Sequence, residues 1–96
     1  MTEDRIVTLH PHGKGVVSVS RQKYEIVRDT ILDTMKSAGE ITFLELFNTV
    51  IQKLTGDFEG SIGWYVTTVK LDLEARGIIE RNTSTNPQRL RLANSP

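Results

Sequence analysis

Apolar positions along the chain change their period several times, and each change marks an element. From Arg5 to Val19 the residues RIVTLHPHGKGVVSV place two β-branched runs around Pro11, Gly13 and Gly15, which predicts a β-hairpin with a longer loop. Ser20 then offers an N-cap, and Tyr24, Val27, Ile31 and Met35 follow at spacings of three and four up to Gly39, so a first helix carries one apolar face. A short extended piece at Glu40 and Ile41 leads to Thr42 and Glu45. These form the T-x-x-E pattern, in which each side chain satisfies a free backbone N–H of a helix's first turn. The second helix starts there, with Leu44, Phe47, Ile51 and Leu54 as its stripe and with Phe43, Leu46 and Val50 widening the apolar arc. TGDFEG ends it.

Ser61 is the next cap, and Ile62, Val66, Val69 and Leu73 keep helical spacing down to Gly77, a residue free to take the left-handed conformation that closes a helix. Residues 78–82 and 88–92 are two short extended runs joined by TSTNP, whose Asn-Pro and hydroxyl residues favour a turn, so a second hairpin is expected. No internal repeat or low-complexity run interrupts this order. A chain of 96 residues suits one α+β domain with a single core: an N-terminal hairpin extension over 1–19, then a body over 20–96.

Leu73, Glu74, Gly77, Ile78, Ile79 and Arg81 are similar to the L-E-x-x-G-L-I-x-R passage where the third helix of many bacterial regulators meets the wing. With the element order, they make residues 20–92 resemble the winged helix-turn-helix superfamily, small regulators of the MarR and PadR kind included. The resemblance implies a winged helix, a three-helix bundle with a C-terminal β-hairpin wing. It also implies double-stranded DNA as partner and transcription regulation as role, the third helix lying in the major groove and the wing on the backbone or minor groove. On that basis Tyr65, Thr67, Thr68 and Lys70 are the candidates to reach bases or phosphates, and Arg81, Arg89 and Arg91 to hold the wing to phosphates.

Charge changes the picture. Twelve Lys and Arg balance twelve Asp and Glu, which removes any bulk attraction for a polyanion. Local excess remains. Arg76, Arg81, Arg89 and Arg91 are opposed in their neighbourhood only by Glu80, and positions 89 and 91 share one face of a strand. The same arginines equally suit pairing with acids or keeping an edge strand soluble. Glu40, Glu45, Asp57 and Glu59 are countered only by Lys53, so a dipolar surface is expected.

The outward side of the third helix adds a second apolar stripe, Trp64, Thr68, Leu71 and Ala75. Trp64 and Leu71 offer none of the donors and acceptors that base edges require, and Asp72 and Glu74 on the same helix would repel phosphate. The stripe therefore suits a protein interface with Trp64 and Leu71 as anchors. Three covers stay open: the N-terminal hairpin through Val7, Leu9, Val17 and Val19, a second copy in a homodimer, or a heterologous protein partner.

Candidate chemistry is sparse. Cysteine is absent, so neither disulfides nor thiolate metal sites arise. His10 and His12 flank Pro11 without a third ligand. Ser18 and Ser20 have no evident base, Gly13 and Gly15 lack phosphate-loop spacing, and Asp29 and Asp33 read as solvated helix positions. No enzyme, metal or cofactor is expected. The opening MTEDRIVTLH has two acids and no long apolar run, so neither a secretory signal nor a membrane anchor is expected, and the cytoplasm is the expected location. Two functional readings remain, a DNA-binding regulator and a protein-association module.

Overall fold

The computed structural model describes residues 4–13 and 15–93. The first hairpin pairs β1 (Arg5–Thr8) antiparallel with β2 (Val17–Ser20), Ile6 opposite Val19. The chain passes from β2 directly into α1 (Arg21–Ala38), where the Ser20 hydroxyl accepts the Lys23 N–H at 3.4 Å. All four positions of the expected stripe, Tyr24, Val27, Ile31 and Met35, are buried. Gly39 closes the helix at φ 80°, and its N–H returns to the Met35 carbonyl at 2.9 Å.

After β3 (Glu40–Thr42), α2 (Phe43–Leu54) opens on the expected capping box. Thr42 Oγ1 accepts the Glu45 N–H at 3.2 Å, and Glu45 Oε1 accepts the Thr42 N–H at 3.1 Å. These bonds hold the Glu45 carboxyl below its ordinary range, the Thr42 backbone N–H contributing most. The buried line of α2 is Leu46, Val50 and Leu54, with Phe43 and Phe47 packed beside it. Leu44, expected in that line, is instead 67% exposed. The apolar arc of α2 is wider than its contact with α1 and α3, and Leu44 falls outside that contact.

The helix α3 (Ile62–Ala75) buries Val66, Val69 and Leu73 against the other two helices. It stops at a Schellman motif: Gly77 sits at φ 77°, its N–H donates to the Glu74 carbonyl at 3.1 Å, and the Ile78 N–H reaches back to the Leu73 carbonyl at 2.9 Å. Only a residue without a Cβ takes that conformation cheaply. The strands β4 (Ile79–Asn82) and β5 (Arg89–Leu92) form the expected C-terminal hairpin. They also recruit β3, giving a three-stranded antiparallel sheet in the order β3-β5-β4. Ile41, Ile79 and Leu90 close its inner face on the helices. The described residues form a small compact α+β domain with three helices and two small antiparallel sheets, and among them Val19 is the one hairpin residue in the buried apolar core. Among the described residues, no helix is long and apolar enough to cross a membrane.

Candidate functional site

The three-stranded sheet sorts the arginines by pleat. Residues opposite one another share a face, so the register Glu40↔Arg91 and Glu80↔Arg91 lines Glu40, Arg91 and Glu80 across the outer face. Arg91 Nε binds Glu80 Oε1 at 2.6 Å and Arg91 Nη1 binds Glu40 Oε2 at 3.4 Å. The pair with Glu80, followed by that with Glu40, raises the Arg91 guanidinium above its ordinary range. Arg81 lies on the opposite face and turns toward α3, where its Nη2 meets Glu74 Oε2 at 3.0 Å. Arg89 shares the outer face with Arg91; its guanidinium forms no side-chain hydrogen bond or ion pair among the described residues, but its charge helps to lower the Glu45 carboxyl. The cluster expected to face only Glu80 is therefore opposed by Glu40 and Glu74 as well, and it is divided between two faces. Glu40, expected within a free acidic segment, is held by Arg91 and by the Asn82 amide at 3.3 Å. Lys53, expected to counter that segment, instead reaches the Thr34 hydroxyl at 2.8 Å on α1.

On α3 the expected contact residues separate further. Lys70 keeps only 6% of its surface in solvent. Its ammonium pairs with Glu74 and stands 4.9 Å from the centre of the Phe43 ring, so a side chain expected to reach phosphate is committed between α2 and α3. Glu74 is shared by Lys70 and Arg81, and Asp72 is fully buried. Neither acid presents the free outward charge expected to repel a phosphate backbone. Tyr65 is half-buried edge-on against Phe58, ring centres 5.2 Å apart. Thr67 is exposed, while Thr68 and Leu71 are half-buried.

Trp64 stays open at 45% exposure. It packs edge-to-face on Tyr65 at 5.1 Å, extending an aromatic row from Phe58. The Gly63 Cα lies so close to Phe47 that a Cβ there would come within 3.1 Å of the ring, so α2 and α3 approach closely beside Trp64. The N-terminal hairpin, one of the expected covers, meets α3 elsewhere. Its bonds go to Asp72 and Arg76, about 12 Å along the helix from Trp64 at 1.5 Å per residue. Val7, Leu9 and Val17 remain exposed and only Val19 is buried.

Sequence reasoning missed Asp72 as a structural centre. Its oxygens accept the Leu9 N–H at 2.8 Å, the Tyr24 hydroxyl, and Arg76 Nε at 2.9 and 3.0 Å. Burial, reinforced by Asp72, pushes the Tyr24 hydroxyl up to about 12, and the Asp72 hydrogen bond raises Arg76. The i,i+4 spacing of Asp72 and Arg76 was visible in the sequence; the partners on Leu9 and Tyr24 were not. His10 and His12 lie with ring centres 5.6 Å apart and planes tilted by 46°. Among the described residues, no group of three or more His, Cys, Asp or Glu side chains is placed to hold a metal ion.

The arrangement is one of contact surfaces: an open aromatic residue on α3, and a sheet face whose charges are mostly paired. Residues 5–90 match a family of unknown function (DUF6958), and the chain belongs to that family. No curated protein and no solved structure was found to match it.

Proposed function

We propose that the chain is a winged-helix protein whose α3 face associates with a second copy of itself. The winged-helix assignment is supported by the order α1, β3, α2, α3, β4, β5, with a two-stranded flap leaving α3 at Gly77. One observation carries the association: Trp64 is open on α3 while Lys70 is buried and Arg81 and Arg91 are ion-paired. A face built this way offers an aromatic anchor and few free cations, the composition of a protein contact rather than a phosphate clamp. A second copy fits because the formal net charge is zero, so two molecules meet without long-range repulsion. One patch then serves both sides about a two-fold axis.

Sedimentation velocity of the full chain tests this. The apparent mass should rise with concentration from 10.8 kDa toward twice that value. Removing a central anchor costs about 2 kcal/mol or more, so Trp64→Ala should weaken self-association roughly 30-fold with an unchanged far-UV circular dichroism spectrum. A wild-type chain that stays monomeric throughout, or a variant that unfolds, would sink the proposal.

DNA binding is the second reading, favoured by exposed Thr67 on α3 and by Arg89, which shares the outer face of the flap without a side-chain ion pair among the described residues. Affinity for a random duplex falls with salt at a logarithmic slope of about 0.9 per neutralised phosphate. The association reading expects no binding, or a shallow slope of about one. A slope of several units would favour DNA instead.

A further inference from the structure

The N-terminal hairpin meets the helices through few apolar contacts and one carboxylate. Of its apolar residues only Val19 is buried and Ile6 partly so, while Val7, Leu9, Val16 and Val17 face solvent. A two-stranded hairpin is marginal on its own, and burying one valine does not offset the entropy of ordering residues 5–20. Asp72 supplies what is missing. From α3 it takes the Leu9 N–H at 2.8 Å and the hydroxyl of Tyr24 on α1. Its partner Arg76 binds it through Nε and donates from Nη2 to the Val7 carbonyl at 3.2 Å.

The Val7 carbonyl and, just past the end of β1, the Leu9 N–H, two residues apart, face away from β2. Asp72 and Arg76 thus stand where a further strand would pair, one as acceptor and the other as donor. Beneath the hairpin, Val27, Ile31, Met35, Leu46, Val50, Val66, Val69, Leu73, Ile79 and Leu90 form a buried core to which the hairpin adds only Val19 and, at the margin, Ile6.

We propose that Asp72 is a latch and that residues 5–20 are a releasable strap. With the carboxylate engaged, the strap is closed on α1 and α3. With it disengaged, the hairpin leaves as a unit, while the helices and three-stranded sheet stay folded. The hinge is the junction at Ser20, where β2 runs into α1 without an intervening loop. The latch is independent of the self-association reading, because Trp64 lies on another part of α3.

Amide hydrogen exchange on the full chain tests it, comparing wild type with Asp72→Asn and Tyr24→Phe. Asp72→Asn keeps the shape but loses the charge that binds Arg76. Amides of residues 5–9 and 17–19 should exchange at least tenfold faster, while those of Ile31, Val50 and Val69 keep their protection. Tyr24→Phe removes one donor and should speed the same hairpin amides by a smaller factor. Should Asp72→Asn fail to fold, Tyr24→Phe decides alone. Equal acceleration of hairpin and helices in the folded variants would make the hairpin part of one cooperative unit and overturn the latch, as would hairpin amides that do not respond.

Discussion

Replacing Glu74 by leucine should strand Lys70. Glu74 is shared between Lys70, whose side chain is 8% exposed, and Arg81, whose side chain is 41% exposed. The exposed half contributes little, since ion pairs in water are worth about 0–1 kcal/mol. The buried half differs, because removing one partner leaves a desolvated charge unpaired, at a cost of about 3–5 kcal/mol. The Phe43 ring stands 4.9 Å from the ammonium with or without Glu74, so its attraction cancels in the difference, and Glu74→Leu should cost at least about 3 kcal/mol. With a urea dependence of about 1 kcal/mol/M for a chain this short, the unfolding midpoint should fall by about 3 M at unchanged slope. Lys70→Met added to Glu74→Leu removes the stranded charge and keeps a side chain of similar length over Phe43, so the double variant should recover most of the loss. Urea titration followed by circular dichroism reads both. If Glu74→Leu lies within about 1 kcal/mol of wild type, or the double variant is no more stable than the single, the argument that Lys70 is held by burial and pairing fails.

Other consequences are simpler. Tyr24 ionises in the unfolded chain near 10 and in the folded protein only near 12, so its contribution to stability is complete below pH 10 and is lost as pH rises from 10 to 12. The total loss is about 2–3 kcal/mol at 1.36 kcal/mol per unit, and melting curves of Tyr24→Phe should lack this component. Gly77→Ala places a side chain at φ 77° with no compensating contact and should cost about 1–2 kcal/mol in thermal unfolding. Thr42→Ala removes the hydroxyl that caps α2 and should cost about 1 kcal/mol. The Glu45 half of that box has a depressed carboxyl, so its contribution is present above the ordinary carboxylate range and fades as pH falls through the folded value; Glu45→Gln should flatten the acid limb of the stability curve.

Legibility followed the range of the interactions. The capping box of Thr42 and Glu45, the stop at Gly77 and the buried stripe of α1 depend on residues within a few positions of one another, and each was readable from spacing alone. The hairpins were readable as β-branched runs around turn residues, but the pairing of β3 with β5 joins Ile41 to Leu90, which no local pattern encodes. Leu44 misled because periodicity gives the width of an apolar arc and not which edge of it meets the core. Lys70 and Arg81 misled for a related reason. Their charges were visible, but Glu74 was counted as a free acid when it is the partner of both. Asp72 was the largest omission, because its partners Tyr24 and Leu9 lie 48 and 63 positions away.

Trp64 is the single tryptophan of the chain, so its fluorescence reports on the proposed interface without interference. The most direct measurement is the emission maximum and acrylamide quenching of the wild-type chain, first as its concentration rises and then with random duplex added at low salt. A blue shift and loss of quenching with protein concentration, unaffected by duplex, is the predicted result. Emission indifferent to protein concentration but shielded by duplex would contradict the account and return α3 to the DNA groove.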